Sequence, residues 1–199
     1  MEKFLTNIKY STSDTKVLLV LLLTAAAANA QSFHAGGCPK PPVQEDFNIT
    51  KYMGTWYEIE KLPAWFERGR CNQATYELQE DETVGVLNAE ILPNGNINSI
   101  KGVAKVKNVT QPAILGVSFF IGAADAPYWV LATDYQSYAL VYSCSHYLGL
   151  FHVDYAWILA RTRALPEAVV CQLHDKLKNA GVDIKNLTAS NQTSCDERK

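Results

Sequence analysis

The sequence predicts an all-β protein, an antiparallel sandwich or barrel with a single helix after it. Two patterns and one property of the composition carry that expectation. From Met53 to Leu159, short β-branched and aromatic runs alternate with turn residues, and no helical periodicity separates them. One segment with 3.6-residue periodicity follows. The chain of 199 residues holds 10 Tyr, 7 Phe and 4 Trp, enough to build a core and too many for a disordered chain.

Eight strands are expected: Tyr57–Leu62, Ala74–Gln79, Val84–Ile91, Ile97–Lys107, Ile114–Ile121, Tyr128–Thr133, Tyr138–Ser143 and Leu150–Leu159. Pro93-Asn94-Gly95-Asn96 reads as a hairpin turn because Gly and Asn tolerate positive φ. The helix is expected over about 166–180, with Pro166 suited to its first position and Gly181 just past its end. Val169, Val170, Leu173, Leu177 and Ala180 share one face, which should dock. Cys171, Asp175 and Lys178 share the other, so Cys171 should meet solvent. Residues 182–199 read as a tail held by Cys195.

Residues 1–30 differ in composition from the rest. Lys16, the apolar run Val17–Ala28 and the small residues Ala28-Asn29-Ala30 describe a secretory signal peptide cleaved after Ala30. About twelve apolar residues are too few to span a bilayer core, which needs roughly twenty. The expected location is therefore extracellular. Four Asn-x-Thr sequons, at Asn48, Asn108, Asn186 and Asn191, fit that compartment and predict glycosylation. The formal charge of -2 excludes a basic surface for nucleic acid.

Cys38, Cys71, Cys144, Cys171 and Cys195 lack CxxC or Cys/His ligand spacing, so no metal site is expected. In an oxidising compartment they should form two bridges and leave one thiol. Spacing alone leaves the pairing open. His34, His146, His152 and His174 accompany no Gly-x-Ser-x-Gly elbow and no His-Glu-x-x-His, so a binding protein is expected rather than an enzyme. No cofactor is expected either, since haem attachment through Cys-x-x-Cys-His is absent.

The last strand is the most informative. Phe151, Val153, Tyr155, Trp157 and Leu159 share one parity, and His152, Asp154 and Ala156 the other. Period two puts five large apolar groups on one face. In a sandwich that face is core; in a closed eight-stranded barrel it becomes the wall of a pocket for one small ligand.

Gly54-Thr55-Trp56 opens the first strand, Thr133-Asp134-Tyr135 lies at a late turn, and Arg161 follows the last strand. In that order these resemble the three signature regions of the lipocalins. The Cys-Pro-x-Pro-Pro-Val-Gln-Glu run at 38–45, Trp56–Glu60, Ala126–Trp129 and Phe151–Trp157 extend the resemblance from about Phe33 to Cys195. It implies an eight-stranded antiparallel up-and-down barrel over about 53–160, within a lipocalin domain of residues 31–199, with the helix packed outside. Trp56 would plug the closed end beneath Arg161, a cation–π contact of ~1–2 kcal/mol when desolvated. The resemblance further implies bridges Cys38–Cys144 and Cys71–Cys195, leaving Cys171 as a free thiol open to a covalent partner. The subgroup resembled carries its unpaired cysteine two residues after the barrel bridge, where this chain has His146.

By the same resemblance Tyr76, Asn88, Phe119 and Trp157 line a pocket for small hydrophobic ligands, such as arachidonate and other fatty acids, or steroids; parity adds Val153 and Tyr155. Trp157 offers a flat face, and Tyr76 and Asn88 offer polar groups. No buried Arg or Lys is evident, so selection by shape is expected over selection by charge. Alternate hairpins of an up-and-down barrel share one end. Leu62–Phe66, Phe119–Ala124 and Tyr147–Leu150 would then ring the mouth with apolar groups and rest on a membrane or lipoprotein surface. Two other readings remain: a bilin carrier, since related barrels hold tetrapyrroles, and a secreted interaction module whose barrel is filled by its own side chains.

Overall fold

The computed structural model describes residues 33–195. The expected signal peptide, residues 1–30, lies outside the described residues. Eight strands form an up-and-down meander: β2 (Gly54–Lys61), β3 (Arg70–Leu78), β4 (Val84–Ile91), β5 (Ile97–Val106), β6 (Ile114–Ser118), β7 (Ala126–Thr133), β8 (Tyr138–Tyr147) and β9 (Phe151–Ala160). Pairing of β9 with β2, from Tyr57↔Ala160 to Lys61↔Trp157, closes them into an antiparallel barrel. Ahead of the barrel come a short strand β1 (Phe33–Ala35), paired with β9, and a single-turn helix α1 (Ile49–Tyr52). After it come helix α2 (Glu167–Asn179) and a two-residue strand β10 (Thr188–Ala189), paired with β2.

Two apolar clusters hold these elements together. Inside the barrel, Trp56, Tyr76, Val84, Val86, Ala104, Leu115, Val117, Val130, Val141 and Leu159 pack against one another. Outside it, Leu140, Tyr142, Ala156 and Ile158 of β8 and β9 meet Leu173 and Leu177 of α2 and Val182 beyond it. Both faces of β8 are therefore covered, which is why Ala139–Tyr142 is an unbroken apolar run rather than an alternating one. The α2 helix docks through Leu173 and Leu177, both fully buried, while Cys171 is exposed.

Several boundaries differ from the sequence expectation. Helix α2 starts at Glu167, because Pro166 occupies the N-cap with an extended ψ of 135°. Its C-terminal end is closed by Gly181 N–H donating to Lys178 O (3.0 Å) and Val182 N–H donating to Leu177 O (3.0 Å). Strand β3 begins at Arg70 rather than Ala74, since its polar start is fixed by the Cys71 bridge and by inward contacts of Asn72. Strand β6 ends at Ser118, and Phe119–Ile121 turn out into a loop. The tail is more than a tether. Beyond Tyr57↔Gln73, β2 and β3 part. The chain at 188–191 fills the opening: β10 pairs with β2, Ser190 N–H donates to Ile59 O (2.8 Å), and Cys71 N–H donates to Asn191 O (2.8 Å). Disulfide Cys71–Cys195 fastens it there, and Cys38–Cys144 fastens the N-terminal arm to β8.

Candidate functional site

One end of the barrel is sealed. Trp56 is fully buried and donates its indole N–H to Tyr52 O at 2.8 Å. The Arg161 guanidinium lies 3.7 Å over its ring. The same guanidinium donates to Thr55 O, Met53 O, Tyr52 O and Lys51 O at 2.8–3.3 Å and, through Nε, to Tyr135 O at 3.1 Å. It thereby caps the carbonyls at the end of α1, where a cation is favoured. Gly54 has a φ of 93°, and a Cβ there would lie 3.3 Å from Arg161 Nη1, so the position suits glycine for both reasons. The third motif joins at the same end. Asp134 Oδ1 accepts from the amides of Gln136, Ser137 and Tyr138 at 2.8–3.1 Å, and Thr133 Oγ1 donates to Tyr138 O at 2.7 Å. Burial alone would raise the Asp134 carboxyl; these donors together with the Ser137 hydroxyl hold it below the usual carboxylate range.

Above the plug stands a floor of three tyrosines. Tyr128 OH bonds to both Tyr52 OH and Tyr76 OH, each at 2.8 Å. Burial raises all three phenols, Tyr76 to about 12, so they stay neutral. Tyr76, expected to offer its hydroxyl to a ligand, instead has that hydroxyl engaged in the floor.

The other end is open. Strand register places Asn88, Val153, Tyr155 and Trp157 on the inner face, and Phe119, just past the end of β6, packs against the cluster inside the barrel. Ile100, opposite Asn88 and also inward, keeps 39% of its surface exposed, whereas Val84 and Ala104 near the floor keep 2%. Tyr155 and Trp157 stack with centroids 5.9 Å apart, and Phe66 reaches over from the β2–β3 loop to 5.5 Å from Tyr155. Phe119 presses on the wall at Gly102, where a Cβ would lie 2.7 Å from its ring. Around the rim, Trp65, Phe120, Ile121, Leu148 and Leu150 are all exposed.

The expectation of a wall without a buried cation needs correction. Glu58 and Lys61 both face inward, opposite Leu159 and Trp157. Lys61 Nζ bridges Glu58 Oε1 (3.2 Å) and Glu67 Oε2. Asn72 Nδ2 donates to Glu58 Oε1 (3.2 Å) and Glu67 Oε2 (3.4 Å), Ser190 Oγ to Glu58 Oε1 (2.5 Å), and Trp157 Nε1 to Glu67 Oε1 (3.1 Å). Burial and the nearby Glu67 push the Glu58 carboxyl up to about 8, against the pull of Lys61. Burial would lower the Lys61 ammonium, but the two carboxylates more than offset it. Sequence reasoning missed this cluster. A β-bulge between Glu58 and Glu60 breaks the alternation that would have placed Lys61, and Glu67 arrives from a loop. Glu58 was legible, since it shares the parity of Trp56.

Outside the barrel, ligand atoms of Cys144, His152 and Asp154 lie within 4.8 Å of one another. The Cys144 sulfur is bonded to Cys38, and Asp154 accepts from Tyr142 OH at 2.7 Å, so the trio is a packed polar contact.

The lipocalin-like domain family matches residues 47–192. The chain is 52% identical over 184 residues to apolipoprotein D of Cavia porcellus, covering 91% of this chain and 97% of that one. It is likewise 52% identical over 184 residues to apolipoprotein D of Oryctolagus cuniculus, with 90% and 97% covered. Among solved structures, insecticyanin of Manduca sexta superposes with a TM-score of 0.71 at 26% identity, covering 81% of this chain and 89% of that chain. A plugged floor, an open apolar mouth and these matches agree: the chain belongs to the lipocalin family and closely resembles apolipoprotein D.

Proposed function

We propose that the protein is a secreted, glycosylated carrier of small hydrophobic molecules, fatty acids such as arachidonate and steroids among them. The observation that carries this reading is the gradient along the barrel, from a sealed aromatic floor to an open end where Ile100 is 39% exposed among inward apolar side chains. Binding is burial of the ligand's apolar surface, at about 25 cal/mol per Å² removed from water. Trp157, Tyr155, Val153 and Phe119 supply the wall, Asn88 a polar contact and Tyr76 the floor. The exposed rim residues Trp65, Phe120, Ile121, Leu148 and Leu150 favour a mouth that rests on a membrane or lipoprotein surface while ligand is exchanged. Two disulfides and exposed sequon residues Asn48 and Asn191 fit an extracellular protein; Asn108 and Asn186 are partly buried. The exposed Cys171 thiol offers a point of covalent attachment to a partner.

The test is tryptophan fluorescence of delipidated protein titrated with arachidonate, progesterone and bilirubin, repeated with Trp157→Phe. Saturable quenching that weakens in the variant supports a pocket beside Trp157 and ranks its guests, bilirubin in first place favouring the tetrapyrrole reading. No saturation with any guest rejects the carrier in favour of a filled-barrel interaction module.

A further inference from the structure

We propose that the inward cluster of Glu58, Lys61, Glu67 and Asn72, together with Asn88, is a polar subsite that receives a hydrogen-bond donor from the guest: the hydroxyl of a sterol or of a long-chain alcohol. The inference rests on the carrier reading and narrows it to a ligand chemistry.

Its first support is position. The cluster lies on the inner wall where the 188–191 segment fills the gap between β2 and β3, beside the Tyr155–Trp157 stack. Trp157 is tied to Asn72 through Glu67, and Asn72 and Asn88 stand on adjacent paired strands near the Ala74↔Asn88 rung.

The second support is the hydrogen-bond accounting. The donors of Ser190, Trp157 and the Asn72 amide all point at the two carboxylates, and Lys61 is held between them. What remains are acceptors. Asn72 Oδ1 and Asn88 Oδ1 are buried and have no hydrogen-bond partner, and Asn72 as a whole is only 6% exposed. A buried carbonyl oxygen without a donor is costly, so a guest that supplies one gains more than a guest that brings a second acceptor.

Charge points the same way. Lys61 lies against Glu67 and Glu58, so a guest carboxylate placed here finds no unpaired cation and meets the Glu67 carboxylate. A neutral hydroxyl meets no such repulsion. Fatty acids are thereby oriented with the carboxylate toward the mouth and the tail toward the tyrosine floor.

The decisive experiment uses two steroids that differ only in the donor at C3, 3β-hydroxy-5α-pregnan-20-one and 5α-pregnane-3,20-dione. Both are titrated into delipidated protein, wild type and Asn72→Leu, with tryptophan fluorescence as readout and near-ultraviolet circular dichroism as the check on folding. The alcohol is expected to bind wild type on the order of tenfold more tightly, the scale set by leaving a buried acceptor unpaired. Asn72→Leu should bring the two affinities together mainly by weakening the alcohol. If Asn72→Leu does not fold, Asn88→Leu on the continuous β3–β4–β5 ladder decides the same question. Equal affinity of the two steroids for wild type overturns the subsite and leaves the carrier standing. A preference that survives intact in the folded variants overturns the assignment to these residues. Binding of neither steroid, nor of arachidonate, rejects the carrier reading itself.

Discussion

Arg161 does several jobs with one side chain, and its substitution should be costly. It covers the Trp56 ring and caps the carbonyls of Lys51, Tyr52, Met53, Thr55 and Tyr135, which come from two segments distant in sequence. Arg161→Ala should lower unfolding free energy by roughly 3 kcal/mol in urea titrations, from lost cation–π contact and orphaned carbonyls. Arg161→Lys should recover only a minor part, because a point charge cannot fork to five acceptors. Glu58 supplies the pH dependence. Its carboxyl is raised from 4.5 to about 8, so between those values the folded chain binds a proton that the unfolded chain has lost. Its stabilising contribution is complete below about pH 4.5 and is lost as pH rises toward 8. The stability of wild type minus that of Glu58→Gln, measured by urea unfolding across pH 5–8, should therefore fall as pH rises. A difference that grows with pH would mean Glu58 is ionised in the folded protein.

Among the elements, the 188–195 segment has the largest consequence for its size. Its two-residue strand and two further backbone hydrogen bonds replace the ladder that β2 and β3 abandon, and Cys71–Cys195 holds it in register. Cys195→Ala should cost ~2–5 kcal/mol. It should also speed hydrogen exchange at Cys71 and Ser190, and weaken ligand affinity by releasing Ser190 from Glu58. The pairing of α2 with the barrel should persist, since Leu173 and Leu177 are anchored in a separate cluster. The strand ladder itself was largely legible: aromatic and β-branched alternation located all eight barrel strands, with ends off by a few residues. The polar first turn of β3 was not, because Arg70–Gln73 carries no strand signature until a disulfide and an ionic cluster fix it.

At the scale of the molecule, the barrel is polarised. Arg161, α1 and the tyrosines close one end, and the other end carries its exposed apolar residues on three loops that meet only when the barrel closes. Ile121→Asp combined with Leu148→Asp should abolish co-sedimentation with phosphatidylcholine vesicles while leaving the affinity for a soluble fluorescent fatty acid within about twofold, since neither side chain lines the wall. Equal loss of both would place these loops in the pocket itself.

The sequence by itself determined where the eight barrel strands lie, the shared parity of the large apolar residues of β9 and the docking face of α2, each set by local periodicity. The up-and-down order and the three motifs at the plug came through the resemblance to the lipocalins. Only the tertiary structure decided what the barrel wall is chemically. Lys61 turns inward because of a bulge, Glu67 reaches it from a loop, and Ser190 from a segment more than a hundred residues away, and their meeting depends on β9 closing onto β2. Charge pairing across a closed sheet has no period along the chain, so no local pattern could announce it.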